Sequence, residues 1–83
     1  MNTCILVGKI CSQMQFDFIL NSKNISVCIF DIQLLNGSII KAKGYNEIAD
    51  YCYSSLGEGM NVQIEGCINN KYEIILDYIE VIN

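Results

Sequence analysis

Lys41, Lys43 and Tyr45 alternate along one short run, Ile39-Ile40-Lys41-Ala42-Lys43-Gly44-Tyr45. In a strand, a period of two places them on one face with Ile39, opposite Ile40, Ala42 and Gly44. Two ammonium groups and a phenol on one exposed face can neutralise phosphates and stack on bases. That is the chemistry of sequence-tolerant single-strand binding, in which each base–ring stack is worth about 1–3 kcal/mol. Lys9 near the start of the chain and Lys71-Tyr72 near its end are candidates to join them. The same residues have a plainer use. Lysines on the outer face of a half-buried strand keep it soluble, Tyr45 can pack against a helix, and a hairpin tyrosine such as Tyr72 can simply cover one end of a sheet. Lys23, in a polar turn, reads as solvated.

Other chemistries find less material. The nine carboxylates are scattered singly, and there is no His, so neither an acid–base pair nor a nucleophile with its base is assembled. The chain reads as a non-enzyme without metal or cofactor. Cys4, Cys11, Cys28, Cys52 and Cys67 include no C-x-x-C pair, so a zinc site would need scattered thiolates. Small buried thiols in a reducing cytoplasm are expected instead. Every basic residue is Lys; Arg, Pro and Trp are absent, and the formal net charge is −4. That balance argues against a surface attracting phosphate everywhere, but leaves room for a local positive groove, because salt screens charge within about 10 Å. Thr3-Cys4-Ile5-Leu6-Val7 is too short for a signal h-region, and no apolar run reaches the roughly 18 residues of a membrane span. A soluble cytoplasmic protein is expected.

The elements that would position the candidates read as follows. The 83 residues form one domain, 1–83, rich in β-branched and aromatic residues, which favours strands. Residues 3–11 alternate around Leu6, Gly8 and Ile10. Residues 15–20 form a short strand with Phe16 and Phe18 on one face, and Asn21-Ser22-Lys23-Asn24 a polar turn. Residues 25–35 are a longer strand in which Ser26, Cys28, Phe30 and Ile32 share a parity. Asn36-Gly37 signals a hairpin into residues 38–45. Asn46 is placed to cap a helix over 47–54, with Ile48, Ala49, Cys52 and Leu56 at helical spacing. Gly57 and Gly59 mark a turn, and Val62, Ile64, Gly66 and Ile68 share a strand face that Gly66 should bend. Asn69-Asn70 turns into a last strand over 71–82. Three strands, a helix and two strands, with one extra short strand near the start, is the order of the OB-fold, an all-β five-stranded Greek-key barrel with one helix.

On this frame the sequence resembles the bacterial single-stranded DNA-binding (SSB) family. Leu6-Val7-Gly8-Lys9-Ile10 resembles the family's opening Leu-x-Gly-Arg-Leu strand, and Val27-Cys28-Ile29-Phe30-Asp31-Ile32 its second core strand. Gly44-Tyr45-Asn46-Glu47-Ile48-Ala49-Asp50 is similar to the opening of its helix. Leu56 through Ile68 is close to its Leu-x-Lys-Gly-x-x-Val-x-Val-Glu-Gly-x-Leu segment. The resemblance runs along essentially the whole chain and implies sequence-independent binding of single-stranded DNA by a homo-oligomer, a dimer or tetramer paired through the N-terminal strand, in replication, recombination or mobile-element transfer. It places Tyr45 and Tyr72 at stacking positions, with Lys9, Lys41, Lys43 and Lys71 on phosphates. It also marks departures. Leu35-Asn36-Gly37-Ser38 stands where the family has a long arm, the stacking tryptophans are missing (Ile39 occupies one such position), Glu58 replaces a lysine, and the acidic tail is absent. A second reading is therefore an OB-fold protein-interaction subunit that has lost nucleic-acid binding; an RNA-binding cold-shock protein is a distant third. Tyr51, Tyr53 and Tyr78 read as barrel covering or an oligomer contact.

Overall fold

The computed structural model describes residues 3–20 and 24–82. Its strands are β1 (Thr3–Ile10), β2 (Gln15–Leu20), β3 (Asn24–Leu34), β4 (Ile39–Tyr45), β5 (Asn61–Ile68) and β6 (Glu73–Val81), with helix α1 (Glu47–Ser55) between β4 and β5. Lys23 and its neighbours in the expected polar turn, Asn21 and Ser22, lie outside the described residues. β1 pairs with β5, β5 with β6, β6 with β4 and β4 with β3, and β3 closes back onto β1. All of these pairs are antiparallel except β4–β6. The result is the closed five-stranded barrel of the OB-fold.

The short strand near the start is a continuation of β1. β1 occupies β3 at residues 32–34 and β2 occupies the same edge at 24–29. Residues 11–14 stand opposite only residues 30 and 31, a bulge held where Cys11 N–H donates to the Asp31 carbonyl (2.9 Å) and Asp31 N–H to Ser12 Oγ (2.8 Å). Such an excess residue count on one strand bends it, which lets a single sheet edge curl into a barrel.

The interior follows the alternation. Ile10, Cys28, Phe30, Ile32, Ala42, Val62, Ile64 and Ile74 are at most 1% exposed. α1 closes one end with Ala49 and Cys52. Cys28 and Cys52 are buried as expected, while Cys4, Cys11 and Cys67 are only half-buried. Parity changes once inside β6: Glu65 faces Tyr78 but Gly66 faces Leu76, leaving Asp77 as an extra residue. A Cβ at Gly66 would run into the Ile75 carbonyl oxygen, so the bend expected there is made by a close backbone approach.

Three local expectations change. Asn46 has φ 55° and no side-chain cap bond; its N–H instead donates to the Ser26 carbonyl and its carbonyl accepts from Asp50 N–H, both 2.9 Å. Asparagine tolerates that left-handed torsion better than most residues, so its place here is a joint between β3 and α1. In the Gly57–Gly59 turn only Gly59 takes a positive φ, 94°. The last strand begins at Glu73, two residues later than the sequence suggests, because Asn69–Tyr72 is consumed by a turn.

Candidate nucleic-acid interface

Both hairpins that frame the candidate face have the same three-residue loop. In the first, Leu34 N–H bonds the Ser38 carbonyl and Gly37 N–H the Leu34 carbonyl (2.8 and 2.9 Å). In the second, Asn69 N–H bonds the Glu73 carbonyl and Tyr72 N–H the Asn69 carbonyl (2.9 and 3.1 Å). This loop is a tight turn followed by one residue in the left-handed region, a position that favours glycine. The β3–β4 hairpin puts Gly37 there (φ 88°); the β5–β6 hairpin puts Tyr72 there (φ 59°). The Asn69 side chain holds the second loop, its Oδ1 accepting from Lys71 N–H (2.9 Å) and Glu73 N–H (3.0 Å). Tyr72 is thereby projected from the tip, 81% exposed, next to the exposed Lys71.

The three-residue loop sets the register of β3 against β4, and with it the electrostatics. Asp31 lies opposite Lys41, and Ile29 opposite Lys43; on the other side of β4, Glu73 lies beside Lys41 and Ile75 beside Lys43. Lys41 Nζ is 3.6 Å from Asp31 Oδ1, an exposed pair, and Lys43 Nζ is 3.2 Å from Glu73 Oε2, a mostly covered one. Glu73 also accepts from Asn69 Nδ2 at 3.0 Å. That bond first, then Lys43 and Lys71, holds its carboxyl below the usual glutamate range. Lys43 and Lys71 thus act on Glu73, Lys41 pairs with Asp31 on the other side of β4, and Tyr72 stands at their edge.

The remaining candidates stand at the periphery. Tyr45 is half-buried at the far end of β4, opposite Val27; six residues of strand separate it from Ile39, about 20 Å. Ile39, 63% exposed, leads from the lysines towards β1 through Gln33, which pairs with both Ile39 and Lys9. Lys9 is exposed but two strands away from β4. The face is therefore a strip with a ring near each end, lysines between, and two carboxylates among them. Asp31 is the charged residue of this face that sequence reasoning left out of the site. Asp31 shares a parity with the outer residues of β3, but only the loop length aligns it with Lys41.

No protein-family model and no curated protein matches this sequence. Solved structures do match. The chain superposes on an SSB domain from Synechococcus sp. with a TM-score of 0.83 at 19% identity, covering 96% of this chain and 94% of that one. It superposes on the mitochondrial single-stranded DNA binding protein of S. cerevisiae with a TM-score of 0.80 at 17% identity, covering 99% and 94%. For the dimeric N-terminal domain of PriB from Thermoanaerobacter tencongensis the TM-score is 0.70 at 22% identity, covering 99% and 97%. This chain is built on the OB-fold that SSB domains and PriB share.

Proposed function

We propose that this protein binds single-stranded DNA without sequence preference, as a homo-oligomer and without catalysis, in replication, recombination or transfer of a mobile element. Tyr72 carries the reading. A bulky residue in the left-handed region costs of order 1–3 kcal/mol, and this one occupies the loop position that the sister hairpin gives to glycine. What the strain provides is a ring held 81% exposed beside Lys71. Tyr45 would offer a second ring about 20 Å along the strip, and Lys41, Lys43 and Lys71 would meet phosphates between them, with Lys9 extending the track. Structural likeness to proteins described as SSB, single-stranded DNA binding and PriB supports the assignment. Five free thiols are consistent with a reducing cytoplasm.

The ion pairs favour a second reading, a protein-interaction subunit. Asp31 and Glu73 already answer two of the lysines, and the whole chain is acidic. Fluorescence anisotropy of a labelled oligothymidine separates the two. Saturable binding at low salt that collapses in a Tyr72→Ala, Lys71→Ala double variant supports DNA. Two to four phosphate contacts predict a log–log salt slope of about −1.4 to −2.8. Absence of binding at low salt by the folded protein would leave the protein-interaction reading.

A further inference from the structure

A groove of about 370 Å³ runs between α1 and the C-terminal half of β6. Ile48 contributes apolar surface to it, Tyr51 and Tyr78 stand in its walls, Glu47, Asp77 and Glu80 complete the lining, and the buried Ile79 lies at its floor. The rings are open to solvent, Tyr51 39% and Tyr78 49% exposed. Asp77 is the extra residue of the β6 bulge, and Glu65 lies opposite Tyr78 on β5. Among the described residues the ion pairs of the lysines go to Asp31 and Glu73, so the four carboxylates around this groove have no cationic partner. Their field is felt locally. Tyr78 donates its hydroxyl to Glu80 Oε2 at 3.2 Å, and the charges of Glu80 and Glu65 hold that phenol above its usual range.

We propose that this groove seats an arginine or lysine side chain from a basic segment of a protein partner. Each part of such a side chain has a counterpart: Ile48 for the aliphatic stem, the exposed rings of Tyr51 and Tyr78 for the cationic head, and carboxylates for its charge. The charge excludes a nucleic-acid strand from the same groove. The residues are distinct from Lys41, Lys43, Lys71 and Tyr72, so a basic partner and a DNA strand would occupy different surfaces.

The test is a backbone amide titration of the isotope-labelled full chain with N-acetyl-Gly-Arg-Gly-Arg-Gly-amide at low salt, with a norleucine counterpart as the uncharged control. The expected result is saturable shifts confined to residues 47–51 and 77–80 and absent with norleucine. An Asp77→Asn, Glu80→Gln variant should bind about tenfold more weakly, and Tyr51→Leu about threefold, with Tyr51→Phe restoring binding. Glu58→Gln, a carboxylate in an unrelated turn, should change nothing. Shifts spread over all carboxylates, equal loss in Glu58→Gln, or no shift at low salt would overturn the proposal. Concentration-dependent shifts at this face without peptide would assign it to a second copy and overturn it equally. Oligothymidine affinity measured on the Asp77→Asn, Glu80→Gln variant should be retained, which keeps this result separate from the DNA assignment.

Discussion

Glu73 sets how much positive charge the strip can offer, because its carboxylate pairs with Lys43 and feels the charge of Lys71. Glu73→Gln keeps an acceptor for Asn69 but releases Lys43. Oligothymidine affinity should rise about two- to fivefold, with a steeper salt slope. The same group predicts two pH effects of definite sign. Its folded-state pKa is depressed, so its contribution to stability is complete above the ordinary glutamate value of about 4.3 and is lost as pH falls through the lowered folded value. A bound phosphate beside Glu73 pushes the other way and raises that pKa, so binding takes up a proton and affinity climbs as pH falls towards 4.3 or so. Glu73→Gln should flatten both curves, read by denaturation and by anisotropy across pH. Tyr72 makes the complementary case. Tyr72→Gly puts the preferred residue into the left-handed loop position and should stabilise the fold by about 0.5–1 kcal/mol while weakening DNA binding. A variant that loses both stability and affinity would mean that the ring is a packing residue.

At the scale of elements, the barrel was legible because its strands are two-sided: an apolar parity such as Cys28, Phe30, Ile32 fixes which face turns inward. Three features escaped that pattern. Alternation cannot see where one residue is added, so the Asp77 bulge and the excess at residues 11–14 were invisible, although Gly66 signalled a bend beside the first. Asn36-Gly37 announced a hairpin but not its loop length. A two-residue loop would have paired residue 32 with Lys41; the three-residue loop pairs Asp31 with it, and a slip of one residue exchanges the faces of a strand. The ion pairs of the candidate site hang on that register, as does the pairing of β4 with β6, which no local signal encodes. Gly66 offers the sharpest element-level prediction. Gly66→Ala sets a methyl group against the Ile75 carbonyl, where rigid backbone cannot yield, and should cost about 1–3 kcal/mol, seen as a lower denaturation midpoint. Gly57→Ala, whose Cβ would meet nothing within 4 Å, should be close to neutral.

At the scale of the molecule, a barrel this small would present few contacts to the proposed DNA strand, so the proposed pairing through β1 bears directly on affinity. β1 is paired with β5 from Thr3 to Lys9, but with β3 only from Gly8 to Ile10; among the described residues no strand pairs with its other edge before Gly8. Beside that edge, Ile5 and Val7 meet Leu34 and Leu35 in a shallow groove, with Ile5 62% and Leu35 89% exposed. An edge with its own apolar margin is an invitation to another strand, and a two-fold axis through β1 lets one segment serve both copies. Under the proposed function, two linked strips would bind one DNA strand with an effective concentration that a single strip lacks. Ile5→Lys should therefore act twice. Lysine on the edge opposes strand addition, so sedimentation should show the mass falling to that of one 9.4 kDa chain. Affinity for a long oligothymidine should fall at least about tenfold, whereas affinity for one short enough to fill a single strip should hardly move. If both lengths weaken together, Ile5 touches the DNA itself; if the mass is unchanged, the copies meet elsewhere and the β1 pairing is wrong.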